Sequence, residues 1–345
     1  MKRRIRSLGA AAAFAGRKLL RAFAALPPSL AVALTLGAVA QTGSNEPPAW
    51  ATPRTSNGHP DLQGHWTNDT YTPLERPVEL GNKAHFTPEE AAAFFQSKVD
   101  ELHAQAADDI HYDDAIWQAE NYDKVASRRT SLIVDPPNGR LPPLTAAGEA
   151  RLPQQRATQR AASADSAASR SLGERCISWG NVGPPMMPPT YYANLQILQS
   201  KDLVVIRHEL MHDVRTIYLD GRQHPPPSVQ WLAGHSIGRF EGDTLVVDTT
   251  NFTPLTNFRG SPQNTRQDIF ATEGMHVVER FTRAGEDSIH YSYTVEDPAT
   301  WVSPWSGEVD MRRTEGPIYE YACHEGNLGL AYILSAARAA ERAGR

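Results

Sequence analysis

The chain has 345 residues, with 34 basic and 39 acidic side chains and a formal charge of −5 at neutral pH. Its first forty residues hold seven basic side chains (Lys2, Arg3, Arg4, Arg6, Arg17, Lys18, Arg21) and no acidic one, so without them the charge falls to −12. An acidic chain of this length, with no basic stripe, excludes nucleic acid and anionic membrane surfaces as partners and has ample material for a sizeable core.

In chain order, the basic flank is followed by an apolar run from Phe23 to Ala40, broken by Pro27-Pro28 and ending in Ala38-Val39-Ala40. These features describe a secretory signal peptide over residues 1–40, cleaved after Ala40. An uncleaved anchor helix is the alternative, since the run approaches the length that spans a bilayer. Cleavage implies a periplasmic or secreted protein with no membrane association afterwards.

Residues 41–86 read as an extended lead-in, and Gly64-His-Trp66 within it resembles the G-x-W of calycin barrels. At Thr87 a helix is signposted: Thr87 caps, Pro88 suits the first turn and Glu90 completes a capping box. Phe94, Phe95, Val99 and Leu102 then recur at helical spacing as far as about residue 107. A second helical stretch begins at Thr145 and runs to about Ala168, interrupted at Pro153. Residues 87–175 are thus a helical and irregular segment, which the reading packs with residue 52 onward and with the rest of the chain as one globular unit.

Residues 176–338 change character. Ile289, Tyr291, Tyr293 and Val295 alternate with Ser288, His290, Ser292 and Thr294, and Trp305, Gly307, Val309 and Met311 alternate with Ser306, Glu308, Asp310 and Arg312. Period two over such lengths predicts half-buried antiparallel strands. Turn residues at 241–243, 284–287 and 315–317 predict three hairpins: 237–241 with 244–250, 277–283 with 288–296, and 306–314 with 318–323. Strands at 203–210 and 214–219 bring the count to eight or more. The expected fold is mainly β, an antiparallel calycin-like barrel or a two-sheet sandwich with N-terminal helical decoration, because a flat meander would leave its edges open.

Cys176 and Cys323 are the two cysteines. In an oxidising compartment they are expected to form one disulfide closing a loop of about 147 residues, worth up to about 5 kcal/mol of chain entropy. A nucleophilic Cys323 thiolate beside His324 is the rival reading.

Two catalytic signatures lie close together, His208-Glu-Leu-Met-His212 and Gly234-His-Ser-Ile-Gly238. The first binds zinc only on a helix, where one turn puts both imidazoles about 6 Å apart; four residues of strand span about 13 Å. The second needs a helix after its serine. Both sit in β-patterned sequence, so neither is expected to act in its usual way. The residues that remain as a site are His212, Glu209, Asp213 and Arg215, with His324 and Glu325 as a second set. A histidine beside carboxylates and an arginine can move a proton while the guanidinium holds an anionic or carbonyl group.

The strings Leu219-Asp-Gly-Arg222 with His224-Pro225, Gly238-Arg-Phe-Glu-Gly-Asp-Thr-Leu-Val-Val-Asp-Thr-Thr-Asn-Phe252 and Tyr319-Glu-Tyr-Ala-Cys-His-Glu-Gly-Asn327 resemble a family of exported bacterial proteins with no assigned activity, over about Thr52 to Arg338. The resemblance implies export and a shared architecture.

Together these readings predict an exported small-molecule enzyme without cofactor, doing lyase, isomerase or hydrolase chemistry. His212 would be the acid or base, Glu209 or Asp213 its orienter, and Arg215 the clamp. A zinc hydrolase with His208 and His212 as ligands and Glu209 as base is one alternative, and a non-catalytic protein binding a small ligand is another.

Overall fold

The alternating half of the chain closes on itself. The computed structural model describes residues 50–103, 127–151, 153, 164–178, 183–188, 192–255, 257–258, 269–270 and 272–344. The signal-peptide expectation for residues 1–40 and the continuation of the first helix past 103 therefore lie outside the described residues. Residues from Trp50 onward form one compact unit.

The strands are β1 (Gly64–Thr67), β2 (Ile133–Asp135), β3 (Asn194–Gln199), β4 (Leu203–His208), β5 (Val214–Tyr218), β6 (His235–Glu241), β7 (Thr244–Thr250), β8 (Asn257–Phe258), β9 (Ile269–Phe270), β10 (His276–Gly285), β11 (Ser288–Glu296) and β12 (Trp305–Arg313). The barrel runs in the order β1-β3-β4-β5-β6-β7-β10-β11-β12 and closes by pairing β1 with β12. Among the described residues nine strands thus make one barrel, not a sandwich. All its neighbours are antiparallel except β5 and β6, which run parallel, with Ile217 opposite Ser236. The two-residue pair β8–β9 stands apart, and β2 adds to the first half of β12.

Burial follows the predicted period. Ile289, Tyr291, Tyr293 and Val295 on β11 point inward with Trp305, Val309 and Met311 on β12. Gly307 interrupts that inward row for a steric reason: a Cβ there would lie 2.4 Å from the Tyr293 hydroxyl. Trp66 is fully buried where the barrel closes, its indole N–H donating to the Leu62 carbonyl at 3.0 Å and its ring lying under the Arg283 and Arg313 guanidinium groups.

Tight turns at 200–202, 242–243 and 286–287 close one end of the barrel, and the chain leaves the other end after His208, Thr250 and Glu296. Met186 and Met187, preceded by Pro184-Pro185, are buried in the core. The Met186 amide donates to the Tyr291 hydroxyl at 2.8 Å, and its carbonyl accepts from Asn68. These residues are packed interior.

The capping box forms as expected: the Glu90 amide donates to Thr87 Oγ1 at 3.2 Å and the Thr87 amide to the Glu90 carboxylate at 2.8 Å, opening α1 (Pro88–His103). Three local expectations differ. Residues 318–323 are not a strand; the edge of β12 that they would cover is taken by β1 and β2, whose pairing buries Trp66 and Ile133. The second helical stretch does not reach Ala168 as an α-helix: residues 164–166 are not helical and Ala167–Ser169 form a 3-10 turn, while Pro153 has helical backbone and residues 154–163 lie outside the described residues. The C-terminal helix α2 (Leu328–Arg342) was not expected; its Asn327 cap accepts from the Leu330 amide at 3.3 Å. Among the described residues no helix is long and apolar enough to cross a membrane.

Candidate functional site

The first signature lies on extended backbone and then a single tight turn. β4 ends at His208, and Leu210–His212 form one 3-10 turn in which Met211 and His212 take φ of 58° and 45°. Left-handed backbone at residues other than glycine costs on the order of 1–3 kcal/mol each. Here it lets Leu210 and Met211 bury against Tyr192, Tyr321 and Cys323 while His212 is turned out to solvent. His208 faces the barrel interior instead, so the helical turn that the zinc reading requires is not formed.

The sequence-predicted residues divide between these two environments. Glu209 is buried and accepts from the Asn194 amide at 3.0 Å. His212 is exposed, with Nδ1–H donating to the Tyr321 carbonyl at 3.2 Å. Asp213 accepts from the Ser178 hydroxyl at 3.1 Å, and burial pushes its carboxyl up to about 6. His324 and Glu325 are exposed, with the His324 ring 6.4 Å from that of His212. The Cys176–Cys323 disulfide anchors this turn, with a Cα separation of 5.6 Å.

Arg215 points inward, away from this group. Its guanidinium grips Glu279 with two N–H groups, one at 2.9 Å, and also donates to Ser236 at 3.1 Å and Thr249 at 3.2 Å. Tyr291 donates at 2.8 Å to Glu279 Oε1, the oxygen that also accepts the 2.9 Å bond from Arg215. Arg215 and Glu279 are 4% and 0% exposed, which makes this a sealed, mutually satisfied network. Burial, and then the Glu279 charge, push the Tyr291 hydroxyl far above its usual range. Burial, and then the Arg215 charge, bring His208 down to about 3, and its Nε2 has no hydrogen-bond partner.

Ser236 of the second signature therefore sits at the second position of strand β6 and faces the barrel interior, bonded to Arg215 and to Thr249 at 2.9 Å. Gly234 has φ +68°, and a Cβ there would meet Thr249 and the Thr250 carbonyl at 2.7 Å, so the glycine serves close packing.

A further set lies on the outer face of the same strands. His235 Nδ1 meets His224 Nδ1 at 2.9 Å, His224 Nε2 meets Asp248 at 3.1 Å, and the other Asp248 oxygen meets His276 Nε2 at 3.1 Å. The hydrogen bond from His276 holds the Asp248 carboxyl below its ordinary range, and that same bond raises His276. Burial, followed by His224 and Arg222, lowers His235. The crossover 219–234 that carries His224 is pinned by Asn251, which donates to the carbonyls of Pro225, Pro226 and Val229 at 3.3, 3.1 and 2.9 Å. Tyr218 stacks on His235 at 5.4 Å and the partly exposed Trp231 lies 5.5 Å away, while Arg222 lies 3.6 Å over Tyr218.

None of His235, His224, Asp248 and His276 is among the site residues expected from the sequence. His224 and Asp248 do fall within two of the strings quoted above, which is the one signal that could have joined them.

Tautomers follow from the contacts. An ionised Asp248 can only accept, so His224 carries its proton on Nε2 and its Nδ1 accepts from His235 Nδ1–H. The His235 Nε2 lone pair is then free to take a proton. Among the described residues, no group of three or more His, Cys, Asp or Glu side chains is arranged to hold a metal ion. No protein-family model, curated protein or solved structure matches this chain.

Proposed function

We propose that this chain is an exported enzyme that moves a proton on a small organic molecule, with His235 as the base. The unbroken hydrogen-bonded run His235–His224–Asp248–His276 carries this reading. The disulfide supports export.

When His235 Nε2 takes a proton from substrate, its Nδ1 proton passes to His224 Nδ1. The imidazolium so formed is held through Nε2–H by the Asp248 carboxylate. A base oriented by a second group, itself oriented by a carboxylate, is the arrangement that acid–base enzymes use to fix tautomer and direction. Burial, then His224 and Arg222, favour the unprotonated form of His235, the form able to accept a proton. The exposed Trp231 offers a flat face beside His235 against which a planar substrate packs. The reaction classes that such a site serves without an organic cofactor are elimination, isomerisation and hydrolysis.

The test uses 5-nitrobenzisoxazole, a planar molecule that ring-opens when a base removes its carbon-bound proton. The wild-type protein is expected to accelerate ring opening with a dependence on one deprotonated group, and His235→Ala to abolish the acceleration. Equal rates for wild type and His235→Ala would remove His235 from the mechanism. His290→Ala, on the outer face of β11, serves as the control.

A further inference from the structure

A second pair of imidazoles shares no residue with the relay. His212 and His324 lie in distant parts of the sequence, yet their rings stand 6.4 Å apart and inclined at 44°. Metal–nitrogen bonds of about 2.0–2.1 Å put the centres of two imidazoles sharing one ion about 5–6 Å apart. Both residues are exposed, so a small side-chain rotation closes the remaining gap. We propose that His212 and His324 bind one divalent cation of the Zn2+, Ni2+ or Cu2+ class, with water completing its coordination.

Three features of the molecule support this assignment. The hydrogen bond from His212 Nδ1–H to the Tyr321 carbonyl fixes the tautomer and leaves Nε2 as the donor atom, the usual support of a metal-bound histidine. The backbone of His212 is held in left-handed geometry by the burial of Leu210 and Met211 on its N-terminal side. That geometry has a conformational cost, and what it achieves is the outward presentation of one imidazole.

His324, for its part, follows Cys323 directly and is tethered through the disulfide to Cys176. Asn327 tightens the same turn by donating to the Glu174 carbonyl at 3.1 Å and to Cys176 Sγ at 3.3 Å. Two imidazoles on braced backbone lose little freedom on chelation, which favours binding. Imidazole donors select borderline divalent ions over Mg2+ and Ca2+, which prefer oxygen. The partner of His212 in such a site is therefore His324 from the far end of the chain, not His208 from its own motif. His208 faces the barrel interior, and the relay histidines direct nitrogens at one another and at Asp248.

The experiment is calorimetric titration of the untagged protein with Zn2+, repeated with Ni2+, in a non-chelating buffer. Wild type is expected to bind one ion, and His212→Ala and His324→Ala each to weaken binding at least tenfold. His290→Ala and His208→Asn should leave it unchanged. Substoichiometric Cu2+ should broaden the ring resonances of His212 and His324 ahead of those of the other histidines, a measurement that needs no variant. Zn2+ affinity unaltered in both alanine variants, no heat of binding at millimolar ion, or first broadening at His224 and His235 would each overturn the proposal. Because neither His212 nor His324 belongs to the relay, loss of this site leaves the benzisoxazole result intact.

Discussion

The inner and outer faces of β6, β7 and β10 carry polar groups that are sequence neighbours yet live in opposite environments. Ser236 and Thr249 point into the barrel and complete the coordination of Arg215. His235 and Asp248, one residue earlier in each strand, point outward into the imidazole chain. Inside, the donors of Arg215 meet Glu279, Ser236 and Thr249, so that set is satisfied and sealed. Outside, the chain ends in a free imidazole nitrogen at a partly exposed surface. Sealed polar groups hold a structure in one arrangement, whereas an open chain can pass a proton.

Removing one member of the sealed pair should have the largest effect on stability. Glu279→Ala leaves a buried guanidinium without its carboxylate and is expected to lower unfolding free energy by about 3–5 kcal/mol, read by urea denaturation. Replacing both Arg215 and Glu279 by methionine and leucine should recover much of that loss, because no unpaired charge remains. A loss below about 1 kcal/mol for Glu279→Ala would mean that the interior is not sealed.

His208 gives the next effect, and it depends on pH. Its folded value near 3 lies below the usual 6.5, so between those values the unfolded chain takes up the proton first. Stability should therefore fall with acidification across that window, at up to about 1.4 kcal/mol per pH unit from this group. The difference between wild type and His208→Asn isolates it, since Asp213, raised to about 6, contributes with the opposite sign. Parallel stability–pH curves for the two proteins would show that His208 is solvated.

Asp248→Asn should destabilise the protein by no more than about 1 kcal/mol, as expected for a partly exposed ion pair. Its clearer mark is on His276. The raised imidazole contributes stability that is present below its unfolded value and is lost as pH rises through its folded value. Without the carboxylate, the His276 titration followed by NMR should move down. An unmoved His276 would break the link between the outer residues.

The smallest effect belongs to the helix cap. Thr87→Ala is expected to cost about 1 kcal/mol through loss of the bond to the Glu90 amide, measured as a shift in thermal midpoint. No change in 5-nitrobenzisoxazole turnover should accompany it.

Much of the architecture was legible because it is local. Alternation at 288–296 and 305–313 marks which residues face inward, turn residues set the two hairpins that form, and Thr87 with Glu90 opens a helix. Two cysteines leave one intramolecular pairing. The extended backbone up to His208 was likewise readable from β-branched residues, and with it the failure of the helical signature. What alternation cannot supply is which outward side chains become neighbours, for that depends on strand order and register. His224 reaches Asp248 only because β5 and β6 run parallel and the crossover between them lies over β7. Arg215 meets Glu279 across the barrel interior, β12 prefers β1 to the segment after it, and His212 faces His324 through the Cys176–Cys323 tether. Each of these contacts joins distant stretches of chain. Local sequence chose the conformation of each stretch, whereas burial of the shared core chose which stretches meet.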